Sequence, residues 1–350
     1  MDMESLAGAE FAPQTTYLNT ASSGLIPARS VAAMKAALDD AAAGGRFADM
    51  AFEAVEEVRA AYARLVGVPA RQVAAGASVA VYAGMIAASL PSGAEVLAAE
   101  GDFSSLVNPF AVRRDLKLRT VPLEEIADAV RPGTALVAVS AAQSADGRIA
   151  DLAAVRAAAR EHGARTLVDY SQAAGWLPVS AAEADYTVCV GFKWLMCPRG
   201  VAFLTVPEDL GGLTPVFAGW VAGEKPWDSC YGPVAELAHS ARRFDESPSL
   251  YSYVAARHSL ALIEELGTEA IAAHDRALAD RFRAGVTELG HQAIAAPGSA
   301  IVSVPGLGEA APRLAEADVH VSARAGNLRA SFHLYNTAAE VDRLLEALAG

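Results

Sequence analysis

Hydrophobic positions along the chain follow two rhythms. Short apolar runs recur without alternation at Glu95–Ala99, Ala135–Ser140, Thr166–Asp169, Tyr186–Val190 and Val201–Val206. Continuous apolar runs of this kind mark strands buried on both faces, as in parallel sheets. Helical spacing fills several of the intervals. Asp151–His162 puts alanine and arginine on opposite faces, with Asp151 placed to cap its start and Gly163 to end it. Strands alternating with helices predict a mainly parallel α/β sheet. Residues 73–90, VAAGASVAVYAGMIAASL, carry no charge. They are too rich in alanine, glycine and serine for a membrane span, and predict a buried helix with a Gly/Ser-rich start.

The texture changes after about residue 210. Glycine and proline are frequent through Gly232. A long helical region, Ser249–Leu289, follows, then short strands near Ala300–Val304 and Ala330–His333 and a last helix from Ala338 to Leu348. The pattern predicts a large domain over residues 26–215 and a smaller α+β domain over residues 216–350. The first 25 residues are too short to stand alone and are expected to pack with the smaller domain.

Composition narrows the classes of function. Of 350 residues, 53% are hydrophobic and 20% charged, which suits a globular protein with a sizeable core. The formal net charge of −13 disfavours a nucleic-acid partner or a polybasic membrane contact. The three cysteines, Cys189, Cys197 and Cys230, make neither a disulfide framework nor a metal-ligand spacing. They fit a reducing cytoplasm, and the acidic N-terminal residues do not resemble a signal peptide. There is no GxGxxG after a strand, no GxxxxGK[ST], no HExxH and no GxSxG.

One constellation remains. Asp169 and Gln172 stand at the end of a predicted buried strand, where ligands bind in open α/β sheets. Lys193 follows 24 residues after Asp169, in Gly191-Phe-Lys-Trp194, just past the next strand. A lysine and a carboxylate at neighbouring strand ends are what pyridoxal 5′-phosphate requires. The lysine forms a Schiff base with the aldehyde, and the carboxylate keeps the pyridine nitrogen protonated. Ala75-Gly-Ala-Ser-Val79 opens a helix whose N–H groups and Ser78 hydroxyl would hold a phosphate.

These segments resemble the class V aminotransferase family of fold-type I pyridoxal-phosphate enzymes, which includes cysteine desulfurases, C–S lyases and isopenicillin N epimerase-like proteins. The resemblance begins at Tyr17-Leu-Asn-Thr-Ala-Ser-Ser-Gly24 and runs through Asp169–Gln172 and Gly191–Trp194. It ends at Leu328-Arg-Ala-Ser-Phe-His-Leu-Tyr-Asn-Thr337. It implies a large domain with a mostly parallel seven-stranded sheet and a homodimer with shared active sites. It also implies roles for single residues. Lys193 would link to the cofactor, Asp169 would meet the pyridine nitrogen and Gln172 the phenolate oxygen. Ser78 and the Val79 amide would bind the phosphate, Ser247 would reach the phosphate of a neighbouring subunit, and Phe103 would stack on the ring. Arg329 would grip the substrate α-carboxylate, with Asn19 and Thr20 bordering the pocket.

Departures from the family pattern shape the expected chemistry. Val321–Arg329 is short and lacks the reactive cysteine that desulfurases carry before this arginine. Val190 and Phe192 stand where relatives often have serine and histidine. The reading favoured is a C–S lyase acting by β-elimination on an S-conjugated cysteine, in secondary metabolism. An aminotransferase, a decarboxylase or an oxidative deaminase is the alternative. A non-catalytic scaffold is disfavoured because Lys193 and Asp169 are both present. Arg324 reads as a solvated strand charge ahead of a second anion donor, and the loop arginines Arg242 or Arg243 could anchor a second substrate of an aminotransferase. Trp220 and Trp227 are assigned to the substrate entrance, whereas Cys197 and His333 read as ordinary core residues.

Overall fold

The computed structural model describes residues 3–350, apart from the side chains of residues 48 and 49. After a short strand β1 (Thr16–Tyr17) come two helices, α1 (Ala28–Ala42) and α2 (Phe47–Leu65). The next stretch alternates: β2 (Val73–Gly76), α3 (Val79–Ser89), β3 (Glu95–Ala99), α4 (Ser104–Ala111), β4 (Lys117–Val121), β5 (Thr134–Ser140), α5 (Leu152–His162), β6 (Arg165–Asp169), β7 (Tyr186–Val190) and β8 (Ala202–Thr205). These strands form one seven-stranded sheet in the order β2-β8-β7-β6-β5-β3-β4. The pairs from β7 to β4 are parallel, and β8 runs antiparallel to both β7 and β2.

The apolar runs read from the sequence are strands in this sheet, with ends shifted by a residue or less. Asp151 caps α5 by accepting from the Ala154 N–H at 2.9 Å, and Gly163 closes it in the left-handed conformation. Two strands depart from expectation. The uncharged run at 73–90 is a strand and a helix, divided at Gly76–Ser78. No helix among the described residues is long and apolar enough to cross a membrane. β4 is an edge strand of largely accessible residues and shows no apolar run.

The region read as one helix from Ser249 to Leu289 is two, α6 (Leu250–Leu266) and α7 (Thr268–Glu288). They are separated at Gly267, whose φ of 81° ends the first. Their packing differs. α6 lies along α1 and α2, whereas α7 lies against β9 (Ile301–Val304) and the last helix. The remaining elements are α8 (Ala310–Glu316), β10 (Val319–His320), β11 (Ser322–Arg324), β12 (Asn327–Ser331) and α9 (Ala338–Ala349). β11, β12 and β9 make an antiparallel sheet, and β1 pairs with β10.

Two long-range ties bring distant segments to the sheet's edge. The N-terminal segment joins the C-terminal part through β1–β10, the Asn19–Ser331 bridge and a Leu6 N–H to Leu334 carbonyl bond of 2.8 Å. A buried ion pair, Arg59 Nη2 to Asp245 Oδ2 at 2.6 Å, clips the segment before α6 to α2. The same Asp245 accepts from the Ala75 N–H of β2 at 2.8 Å. Removing one partner of such a pair strands a buried charge, so the clip fixes where residues 245–247 sit.

Candidate active site

The carboxyl ends of β6 and β7 lie side by side, with Asp169 in register with Val188. Asp169 closes β6 and is 3% exposed; Lys193 sits in the turn after β7 and is 5% exposed. Burial pulls the Lys193 amine down to about 8, against the opposing pull of Asp169, and the charge of Arg329 lowers it further. Burial pushes the Asp169 carboxyl up, with Lys193 acting the other way. Asp169 Oδ1 accepts the Ser171 N–H at 2.8 Å, which fixes the carboxylate at the strand end. Among the described residues, Lys193 Nζ has no hydrogen-bonded partner and neither group has an ion-pair partner within 4.0 Å. Buried charges are ordinarily paired, so this pair is set out for a ligand.

A ring face stands over the amine. The Phe103 ring centroid is 4.9 Å from Lys193 Nζ, and Phe103 is left 44% exposed. Asp102 anchors its loop, accepting from the Phe103 N–H at 2.7 Å, from the Ser140 N–H at 2.8 Å and from Gln143 Nε2 at 3.2 Å. On another side, Ser78 caps α3 and accepts from the Val81 N–H at 3.4 Å, with Val79 buried at the helix start. The helix's positive end and free N–H groups suit a phosphate. Glu246 reaches the same turn and accepts from the Ala77 N–H at 2.5 Å. The next residue, Ser247, is exposed.

Arg329, in β12, is 1% exposed. Its Nε donates to Ser322 Oγ at 3.1 Å, its Nη1 to the Ser144 carbonyl and hydroxyl, and its Nη2 to Ser22 Oγ at 2.8 Å. Burial, and then Arg324, pull its guanidinium down to about 9. No carboxylate pairs with it among the described residues. The Asn19 side-chain oxygen is buried with no hydrogen-bond partner. An orphaned buried acceptor, on a segment bridged to Ser331 two residues from Arg329, and an uncompensated arginine fit a substrate-sized visitor.

The structure revises other expectations. Gln172 donates through Nε2 to the Ala21 carbonyl and to Ser144 Oγ, both at 2.9 Å, and accepts from Trp194 Nε1 at 2.7 Å. Its amide is spent on joining the N-terminal segment to the lysine turn, and it would have to release one bond to serve a cofactor oxygen. Thr20 is fully buried and bonded to the Tyr335 hydroxyl, so its side chain faces the interior. Arg242 is occupied by the carbonyls of Val221, Gly223 and Glu224. Arg243 has a buried Nε without a partner.

Trp220 and Trp227 cluster with Phe52 around a cavity of about 310 Å³ that does not include Lys193. Cys197 is fully buried, with its thiol pushed up by burial. His333 lies in the core between Asp275 Oδ2, at 2.8 Å, and the Trp194 carbonyl, at 2.9 Å.

Sequence reasoning missed Ser22, Ser144 and Gly24. Ser144 lies in the loop that follows β5, a strand-end position that signals ligand contact in such sheets. Gly24 donates its N–H to the Phe192 carbonyl at 2.9 Å, and a Cβ there would stand 2.0 Å from the Lys193 carbonyl oxygen. Only glycine lets the backbone come this close. Gly24→Ala is expected to displace the lysine turn, costing about 1–3 kcal/mol. Thermal melting and the visible absorbance per protein should both fall; an unchanged pair of values would show that the turn has room.

The family model described as Aminotransferase class-V matches residues 16–305. The chain belongs to the class-V aminotransferase family. An isopenicillin N epimerase from Streptomyces clavuligerus is 29% identical over 337 residues, covering 83% of each chain. A kynureninase from Deinococcus radiodurans is 29% identical over 241 residues, covering 65% of this chain and 58% of its own. Among solved structures, a complex of the cystine C–S lyase C-DES with cysteine persulfide superposes with a TM-score of 0.88. It is 24% identical and covers 96% of this chain and 97% of that one.

The class-V protein therefore has the fold-type I architecture and uses pyridoxal 5′-phosphate on an amino-acid substrate. The residues present fit that cofactor: a buried, unpaired lysine and carboxylate, an open ring face, and a capped helix start.

Proposed function

We propose that this class-V enzyme is a C–S lyase that carries out β-elimination on an S-conjugated cysteine. Bound pyridoxal phosphate supplies the electron sink for charge developing at Cα. Arg329 holds the substrate carboxylate, and Lys193, as the neutral amine, takes the proton from Cα. The electron pair of that C–H bond forms the Cα–Cβ double bond as the Cβ–S bond breaks. Sulfur leaves as a thiolate, and hydrolysis of the remaining three-carbon fragment yields pyruvate and ammonia. Asp169 would hold the cofactor's pyridine nitrogen and keep it protonated, and Phe103 would stack on its ring.

One observation carries the preference for elimination over transfer of sulfur to the protein. β11 and β12 are joined by a turn of only Ala325 and Gly326, where a sulfur-accepting cysteine would need a loop. Cys189 and Cys197 are buried, and Cys230 lies among the exposed residues of the 226–230 turn. The neighbour described as a cystine C–S lyase supports the same choice, whereas the epimerase and kynureninase relatives show how varied the chemistry of such sites is.

The test is direct. Protein loaded with the cofactor is given S-substituted cysteines without any oxo acid. Release of thiol and pyruvate in equal amounts is expected. Conversion to the pyridoxamine form, reversed by an oxo acid, would replace this reading with the aminotransferase.

The proposal includes a homodimer, with Ser247 of one subunit reaching the phosphate held by the other. The exposed Phe217, Trp227 and Tyr231 would be covered in it. We place the smaller domain from Gly267 onward, with the first 25 residues, because α6 packs on α1 and α2. A cytoplasmic location belongs to the same proposal and rests on the three unpaired cysteines.

A further inference from the structure

We infer that Ser22 and Arg324 form a second anion subsite beside Arg329, so that the amino-acid substrate carries a second carboxylate or comparable anionic group. The inference rests on the reading of Arg329 as the α-carboxylate anchor.

Arg329 has five N–H groups. One goes to Ser322 Oγ, the Nη1 pair to Ser144, and one of the Nη2 pair to Ser22 Oγ. A single N–H remains for a ligand. Arg324 Nη2 donates to the same Ser22 Oγ at 3.1 Å, while its Nη1 donates to the Ala323 carbonyl at 2.7 Å. The Ser22 oxygen thus accepts from two guanidinium groups, which uses both its lone pairs. Its own hydrogen is left to point at a third group, and only an acceptor can lie there.

Charge gives the same answer. The two guanidinium ends lie within two hydrogen-bond lengths of each other, joined by one hydroxyl. Neither has an acidic partner among the described residues. A monocarboxylate would neutralise one of these charges and leave the other facing it. A substrate with two anionic groups neutralises both.

The layout sets the order of the groups. Arg329 is buried and its charge acts on Lys193, whereas Arg324 is exposed and its charge acts on Arg329. The α-carboxylate therefore sits inward and the second anion at the rim. The hairpin fixes Arg324 there. Arg324 and Asn327 pair across Ala325 and Gly326, whose φ values of 48° and 80° make a tight turn. Ala325 holds a left-handed conformation that a Cβ disfavours, a cost retained where the surroundings require that turn.

The test uses non-reacting carboxylates on the cofactor-loaded protein. Binding of maleate, a dicarboxylate, and of propionate, a monocarboxylate, is measured by calorimetry and by the shift of the cofactor's absorbance. Wild type is compared with Arg324→Gln, Ser22→Ala and Arg329→Gln, each checked for retained cofactor and melting temperature. Arg324→Gln is expected to weaken maleate about tenfold or more, the loss of one charge-assisted contact, and to leave propionate nearly unchanged. Ser22→Ala should weaken both. Equal weakening of both ligands by Arg324→Gln would overturn the inference, since Arg324 would then serve the same carboxylate as Arg329. No effect on either would overturn it as well, leaving Arg324 a solvated charge. If Arg329→Gln binds both ligands as wild type does, the anchor reading itself fails, which is a separate outcome.

Discussion

Lys193→Ala is expected to lower kcat by about 10²–10⁴-fold, the usual contribution of a positioned proton-transfer group. It should also remove the covalent link between protein and cofactor. Steady-state rates measure the first effect. Borohydride treatment followed by peptide mass mapping measures the second, with the cofactor mass expected on Lys193 in wild type only. A variant that turns over at the wild-type rate would remove Lys193 from the chemistry. The pH dependence follows from the same burial. The amine is pulled down to about 8 in the cofactor-free protein, first by desolvation and against the pull of Asp169. Only the neutral amine attacks an aldehyde. Capture of pyridoxal phosphate by the apoprotein should therefore rise about tenfold per pH unit below 8 and level off above it. The effect on stability has the same sign. The unfolded chain holds this proton more tightly, so the penalty is complete below pH 8 and fades as pH rises toward the ordinary lysine range.

Arg329→Leu is expected to have the second largest effect. Truncating one side of a buried charge-assisted contact costs about 2–5 kcal/mol, which is roughly 30- to 4,000-fold in kcat/KM at 1.4 kcal/mol per tenfold. Most of the loss should appear in KM, because the arginine binds a group that does not react. Arg329→Lys would keep a charge but lose the fork that spans Ser322, Ser144 and Ser22. It should recover only part of the affinity. Equal kcat/KM in wild type and Arg329→Leu would show that the carboxylate is held elsewhere.

The chemistry was more legible than its fittings. Asp169 and Lys193 stand at the ends of two apolar runs without alternation, and such runs in an α/β pattern point to a crevice at their carboxyl ends. The Lys193 turn also carries bulky neighbours, which a surface lysine would not need. β2 was hidden because a fully buried strand and a fully buried helix have the same polarity, leaving only Gly76–Ser78 to divide them. β4 was hidden because its accessible residues at the sheet's edge have no apolar face to show. The bonds of Gln172 and the place of Ser22 were not legible for a different reason. Their roles depend on partners more than 100 residues away: Ala21 for the first, Arg324 and Arg329 for the second. No local pattern records such a meeting.

The knotting of residues 16–24 to residues 319–335 bears on when the site comes into being. Asn19 meets Ser331, Thr20 meets Tyr335, and Ser22 meets Arg329, each more than 300 residues apart in sequence. During synthesis the sheet and its lysine turn can be complete while these partners are still unmade. The nascent chain would then hold the lysine and carboxylate in place but have no means of gripping a substrate. Closure over such distances forms late, because the loop entropy must be met before any contact repays it. A half-made chain that has already captured its cofactor would thus be kept from acting on free amino acids until the last strand arrives.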